Sequence, residues 1–262
     1  MSIEVLSGKV FLVITGASRG IGRQIAITFG PLLQEGSHIL LLARNLNSLQ
    51  EIAKNISSKV TVHTVSMDLG EVTKTDFEKT ILGCLKETTR DAFDRVVVVH
   101  NVGTIGDVTK LTNEMLDIDY WKQYYTLNLF LPAVLNAVIM NLFDESTNTK
   151  KVVINITSLF AIQVNAACGY YCSVKAAREM FFKVFALENP DVNVLNYSPG
   201  PVDTDMFQIV CETVKNPETK KRLKHMQETN TVLTTEQTVK RLLKILKEQK
   251  YNAGDRIDYF DN

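Results

Sequence analysis

Tyr171 and Lys175 stand four residues apart in Tyr171-Cys172-Ser173-Val174-Lys175, and Ser158 lies thirteen positions upstream, just after an apolar run. A phenol has an unperturbed pKa of ~10, too high for efficient proton exchange near neutrality. A neighbouring ammonium stabilises phenolate and lowers that value. On a helix, the four-residue spacing brings both groups to one face. A serine hydroxyl nearby can hydrogen-bond a carbonyl and polarise it. Tyr170 competes for the proton-transfer role, but four residues beyond it stands Val174. Taken singly, Tyr171 reads as a packing aromatic and Ser158 as a strand-end cap. The trio together reads as proton-transfer machinery that needs a hydride source beside it.

That source is implied near the start of the chain. Residues 10–14 form a short β-branched run, followed by Thr15-Gly16-Ala17-Ser18-Arg19-Gly20-Ile21-Gly22. Gly16 permits a sharp turn, Gly20 close backbone approach, and Gly22 tight helix packing. The helix that follows offers unpaired N–H groups and a positive dipole end to a dinucleotide phosphate. An ordinary glycine-rich turn is the competing reading, and the position directly after a first strand counts against it. The second strand ends Leu42-Ala43-Arg44-Asn45. An NAD-preferring site usually carries an acid there. Arg44 and Arg19 instead suit a 2′-phosphate as charge-assisted donors, so NADPH is the expected cofactor. Asp68-Leu69 follow the third strand and are placed to meet the adenine. Asp68 can equally cap the next helix. Lys175 can bond the nicotinamide ribose.

These residues need a scaffold, and the chain's periodicity supplies one. Apolar strand-like runs at 10–14, 38–43, 60–66, 95–100, 151–156 and 192–197 alternate with helical stretches at 20–34, 46–56, 77–85, 119–142, 169–187 and 234–249. Pro31 and Pro132 fall inside two of those helices and should end or bend them. Residues 256–260 read as an edge strand. Such alternation predicts an α/β fold, a doubly wound, mostly parallel sheet of Rossmann type, in one domain over residues 1–262. Ligands on such sheets sit beyond the carboxyl ends of the strands. The polar segment 206–230 reads as a lid over that crevice.

Composition limits the alternatives. Of 262 residues 45% are apolar and 22% charged, which suits a packed core and argues against disorder. Lys plus Arg and Asp plus Glu both number 29, so no charge excess points to nucleic acid. No apolar run approaches the ~20 residues that span a bilayer, and the first residues lack a signal-peptide pattern, so a cytoplasmic protein without a membrane partner is expected. Four cysteines without Cys-x-x-Cys spacing read as reduced structural thiols, and no metal site is expected.

The motifs together resemble the short-chain dehydrogenase/reductase family over essentially the whole chain. The glycine turn, Asn101-Val102-Gly103 after the fourth strand, Ser158, Tyr171 with Lys175, and Pro199-Gly200 fall in the family's order. The resemblance implies that Asn128 kinks its helix and supports a water-mediated proton relay to Lys175. It also implies that Asn101, Val202, Thr204, Asp205 and Met206 contact the cofactor. One departure is visible: His100-Asn101-Val102-Gly103 stands where the family usually reads Asn-Asn-Ala-Gly. Less generic stretches, including 102–108, 195–206 and 254–261, resemble the family's pterin-carbonyl reductases. This implies a homodimer and a tail acid, Asp258, gripping the pterin edge. The residues alone leave Asp255 and Asp261 as rivals. Gly200, just past a strand end, would let substrate approach the backbone. A broader carbonyl or hydroxysteroid reductase is the alternative. A non-catalytic dinucleotide sensor is more remote, because such a protein need not keep both Tyr171 and Lys175.

Overall fold

The computed structural model describes residues 3–86 and 88–261. Seven strands form one sheet in the order β3-β2-β1-β4-β5-β6-β7, and every adjacent pair is parallel. They are β1 Val10–Thr15, β2 His38–Ala43, β3 Thr61–Ser66, β4 Arg95–His100, β5 Lys150–Ile156, β6 Asn193–Ser198 and the short edge strand β7 Arg256–Asp258. The sheet is therefore wholly, not mostly, parallel.

The helices are α1 Gly20–Phe29, α2 Leu46–Lys54, α3 Lys74–Cys84, α4 Ile118–Tyr125, α5 Leu131–Leu142, α6 Gly169–Glu188, α7 Asp205–Thr213, α8 Pro217–Glu228 and α9 Thr235–Glu248. Strand side chains alternate between two cores. Leu12, Ile14, Val97 and Val99 pack against α1, α2 and α9 through Ile25, Phe29, Leu49, Ile52, Leu242 and Leu246. Phe11, Val13, Val96 and Val98 pack against α3 and α5 through Phe77, Ile81, Leu135 and Ile139. On that second side α6 adds Phe182 and Ala186 over Val153. Each such fully buried aliphatic or aromatic side chain is worth roughly 1.5–3 kcal/mol. Because every strand points the same way, all their carboxyl ends form one rim. The strand order reverses between β1 and β4, which opens the crevice there.

Both prolines act, though differently from simple kinks. Pro31 ends α1 early, in a 3-10 turn over Gly30–Leu32. Pro132 sits in the first turn of α5, and the disturbance falls before it, as a π turn over Thr126–Phe130. Pro132 has no N–H to give the Asn128 carbonyl four residues earlier, so that carbonyl is available for other donors.

The helical run 118–142 is 25 residues with mean hydropathy 1.4 in its most apolar window, long and apolar enough by composition to cross a bilayer. The structure places Leu131, Leu135, Val138 and Ile139 of this run in the core. The polar 206–230 segment is built mainly of two helices, α7 and α8. Phe207, Val210, Leu223 and Met226 anchor α7 and α8 to an apolar cluster that also contains Ile105, Phe160 and Tyr171. Thr234 and Gln237 form the capping box that opens α9.

Candidate active site

The cofactor end is built by β1 and its turn. Gly16 and Gly20 adopt positive φ values of 66° and 56°. A Cβ at Gly22 would run into the Gly16 carbonyl and lie 2.5 Å from Asn101 Nδ2. Position 22 is thus packed to contact and admits no larger residue. Asn101 fastens it to β4: its Nδ2 donates to the carbonyls of Thr15 (3.0 Å) and Gly16 (3.1 Å). The Thr15 hydroxyl accepts the N–H groups of Asn101 and Val102, both at 3.0 Å. Among the described residues no side chain caps the N-terminus of α1. Its first N–H groups, with Ser18 and Ile21 beside them, therefore suit a pyrophosphate.

The remaining cofactor candidates ring the same end. Arg19 pairs with Asp205 at 2.6 Å, and Arg44 lies 4.0 Å from Asp68, all four exposed. Thr204 caps α7, and its Cγ2 would lie 3.4 Å from a Cβ on Gly20, so α7 begins against the glycine turn. Met206 follows in the first turn of α7, half-buried, while Val202 is buried and bridged to Leu233. Asn45 is occupied as the cap of α2, accepting from Ser48 N–H at 3.1 Å. Asp68 does not cap α3. It accepts the Gly70 N–H at 3.0 Å, and Thr73 with Asp76 forms the capping box instead. Leu69 is buried in the α3 core rather than exposed to a ring.

At the other end, α6 carries Tyr171 and Lys175. Lys175 Nζ donates to the Ile156 carbonyl at 2.7 Å and sits 5.5 Å from the Tyr171 ring centroid. Ser158 lies two residues past β5, and its hydroxyl accepts the Phe160 N–H at 3.2 Å. The phenol is not lowered in the protein alone, contrary to expectation. Burial pushes Tyr171 up to about 12, against opposing pulls from the Ser158 hydroxyl and from Arg178. Burial, then Arg178, hold the Lys175 ammonium well below the ordinary lysine range, with Glu179 pulling the other way.

Arg178, which belongs to none of the sequence motifs, organises this end. It is fully buried on α6. Its guanidinium donates to Asn155 Oδ1 (2.7 Å), to the Val102 carbonyl (2.8 Å), to the Asn128 carbonyl freed by Pro132 (3.2 Å), and to the His100 carbonyl. The Asn128 side chain is itself committed, accepting from Thr104 N–H at 2.9 Å and donating to the Tyr124 carbonyl at 2.8 Å. Any relay at Asn128 must therefore use its main chain. His100 stands where the family has asparagine: its Nε2 meets Asn136 Oδ1 at 3.3 Å and its ring lies 4.9 Å from that of Phe182, while its buried Nδ1 finds no partner among the described residues. The one advance sign of Arg178 was an arginine seven residues after Tyr171, on the same apolar helix face.

The tail closes the site. Asp258 ends β7 and is half-buried, whereas Asp255 and Asp261 are exposed. Asp255 accepts the Asn252 N–H at 2.8 Å, and Asp261 the Asp258 N–H at 2.7 Å. Asp258 Oδ2 accepts from the Ser198 hydroxyl (2.5 Å) and Arg256 (3.1 Å). Gly200 has φ 73°, but the space beside it is filled: a Cβ would lie 2.9 Å from Leu233 Cδ1 and 3.4 Å from Phe260 and Tyr259. Its small size makes room for Leu233 and the tail aromatics. All four cysteines are free thiols, and burial pushes Cys84 up to about 11.

A phosphate-ready glycine turn and a Ser-Tyr-Lys group with its lysine buried, on one parallel-sheet rim, match a known pattern, and residues 10–215 match the family described as short chain dehydrogenase. The chain belongs to the short-chain dehydrogenase/reductase family. It is an oxidoreductase, and this family works with nicotinamide dinucleotides. It is 35% identical to a sepiapterin reductase from Bos taurus over 258 residues, covering 97% of this chain and 96% of that one. A sepiapterin reductase from Xenopus tropicalis is 34% identical over 254 residues, covering 97% of each. The fold is that of a short chain dehydrogenases/reductase structure from Saccharomyces cerevisiae, at TM-score 0.81, 24% identity and 97% coverage of both chains.

Proposed function

We propose that this short-chain reductase uses NADPH to reduce a pterin side-chain carbonyl, of the sepiapterin or 6-pyruvoyl-tetrahydropterin type, in tetrahydrobiopterin synthesis. The observation that carries the reading is Asp258. It is the one half-buried tail acid at the strand-end rim, and it is joined through Arg256 to the backbone of Ser158. A carboxylate there can accept an N–H from the pyrimidine edge of a pterin and aim its side chain toward Tyr171. Arg19 and Arg44, with no acid at the end of β2, support NADPH over NADH.

NADPH, once bound, supplies the hydride; the protein binds, orients and protonates. The Ser158 hydroxyl donates to the substrate carbonyl. Tyr171 Oη gives the proton to the forming alkoxide. Lys175 holds the nicotinamide ribose and offsets the charge left on the phenolate. Helices α7 and α8, packed on the cluster that includes Tyr171, keep water from the reacting atoms.

The protein works in the cytosol as a homodimer. Phe130, Met180, Val184 and Leu187, on or beside α5 and α6, are large apolar residues left exposed in the single chain, and pairing those helices would cover them.

The decisive assay mixes purified protein with NADPH and sepiapterin and follows loss of the substrate's colour, with NADH as comparison. Asp258→Asn should weaken sepiapterin turnover far more than that of a small vicinal diketone. Equal losses on both would favour the broader carbonyl reductase. Tyr171→Phe should keep NADPH binding and lose most reduction; near-normal turnover would remove Tyr171 as proton donor.

A further inference from the structure

Arg256 is only 11% exposed and reaches three parts of the site at once. Nη1 donates to the Ser158 carbonyl at 2.7 Å and lies 3.4 Å from Glu179 Oε2. Nη2 reaches Asp258 Oδ2 at 3.1 Å. Glu179 stands one turn beyond Lys175 on α6 and is 3% exposed. Its carboxylate also accepts from the Thr157 hydroxyl at 2.8 Å and pairs with Lys183 at 2.8 Å. The charges alternate along a line: Asp258, Arg256, Glu179, Lys183. That line crosses from the tail to the end of β5 and on to α6.

We infer that Arg256 is a positioning residue for the reduction, setting the backbone of Ser158 and tying the substrate-holding acid to the helix that carries Tyr171 and Lys175. The substrate half of this inference rests on the pterin reading above; the Ser158 half does not.

Two physical points support it. First, Nη1 meets the Ser158 carbonyl and Glu179 while Nη2 meets Asp258, a two-nitrogen fork that the single nitrogen of an ammonium does not reproduce. Second, the contacts decide how much of Asp258 is free. A carboxylate offers about four acceptor positions. Oδ2 already receives Ser198 and Arg256, and Oδ1 receives the Phe260 N–H at 3.2 Å. The open position is on Oδ1. Arg256 therefore fixes which oxygen meets the substrate as well as where Ser158 points. Recognition then runs through one oxygen, while the other is held by the protein.

The test compares Arg256→Met, Arg256→Lys and Asp258→Asn with wild type on sepiapterin and on a vicinal diketone lacking a pterin edge. Arg256→Met should lower kcat on both substrates by about 10- to 100-fold, because Ser158 drifts from the carbonyl it polarises. It should also raise KM for sepiapterin. Asp258→Asn should act mainly through KM for sepiapterin. Arg256→Lys keeps the charge but not the fork, and should fall between wild type and Arg256→Met in kcat while binding NADPH like wild type. If Arg256→Met does not fold, Arg256→Lys carries the same kcat prediction at smaller amplitude. A normal kcat on the diketone in a folded Arg256 variant would overturn the positioning role, as would a kcat loss matched by loss of NADPH binding. A wild type that reduces the diketone but not sepiapterin would defeat the pterin reading alone, leaving the diketone kcat to judge Arg256.

Discussion

Replacing His100 by asparagine should flatten the acid limb of this protein's stability curve. His100 is fully buried, held by Asn136, and its pKa is depressed to about 3, chiefly by burial and secondly by Arg178. In the unfolded chain it returns to its ordinary value of 6.5. The folded protein therefore keeps a neutral imidazole where the unfolded chain takes up a proton. Stability is fully present above pH 6.5 and drains away as pH falls toward 3. Linkage sets the size: roughly 2 kcal/mol lost between pH 7 and pH 5, about 3 by pH 4, and a limit near 5. At an unfolding entropy of about 2.1 cal/mol/K per residue, 2 kcal/mol is roughly 4 °C in Tm for a chain of this length. The partly buried His38 and His63, 3.2 Å apart on β2 and β3, are also depressed by burial and add to the same limb. They remain in the variant, so they cancel in the comparison. The assay is denaturant unfolding of both proteins at pH 7, 6 and 5. Asparagine shifts the whole curve by lost packing on Phe182, so only the change with pH counts. Parallel acid limbs, or an imidazole NMR signal from native His100 that titrates above pH 5, would refute the reasoning.

Two further outcomes follow from the cofactor end. Gly22→Ala places a methyl against the Gly16 carbonyl and Asn101, so it should cost about 1–3 kcal/mol of stability as overpacking, read by thermal melting. NADPH affinity, measured by calorimetric titration, should fall with it. Arg44→Ser should weaken NADPH binding about 10- to 100-fold, the worth of one charge-assisted bond, and leave NADH binding nearly unchanged.

Local pattern carried much of this in the sequence. Gly16, Gly20 and Gly22, Tyr171 and Lys175, and the four valines of β4 announce themselves within a few residues, because turn chemistry and helix periodicity are short-range. Arg178 and Arg256 were silent for the opposite reason. Their acceptors lie 78 and 98 residues away, at His100 and Ser158, and no spacing rule connects them. The charges of 206–230 hid two helices, since Phe207, Val210 and Leu223 are too sparse to stand out in the sequence. Pro132 signalled a bend but not its form, because the ladder relaxes before the proline, at Asn128. The four-residue spacing to Lys175 suggests a lowered phenol at Tyr171, yet burial outweighs the pulls of the Ser158 hydroxyl and Arg178.

The grip of Arg178 bears on how this enzyme fails. Its four acceptors belong to β4, the loop after it, the π turn and β5, and no carboxylate pairs with it among the described residues. A guanidinium buried without a counter-charge is tolerable only while all of its acceptors are in place. Loosening any one segment strands a cation in the core and raises the cost of keeping the others. Heat or denaturant should therefore produce no long-lived, inactive but folded species; turnover and near-ultraviolet circular dichroism should vanish as one cooperative event.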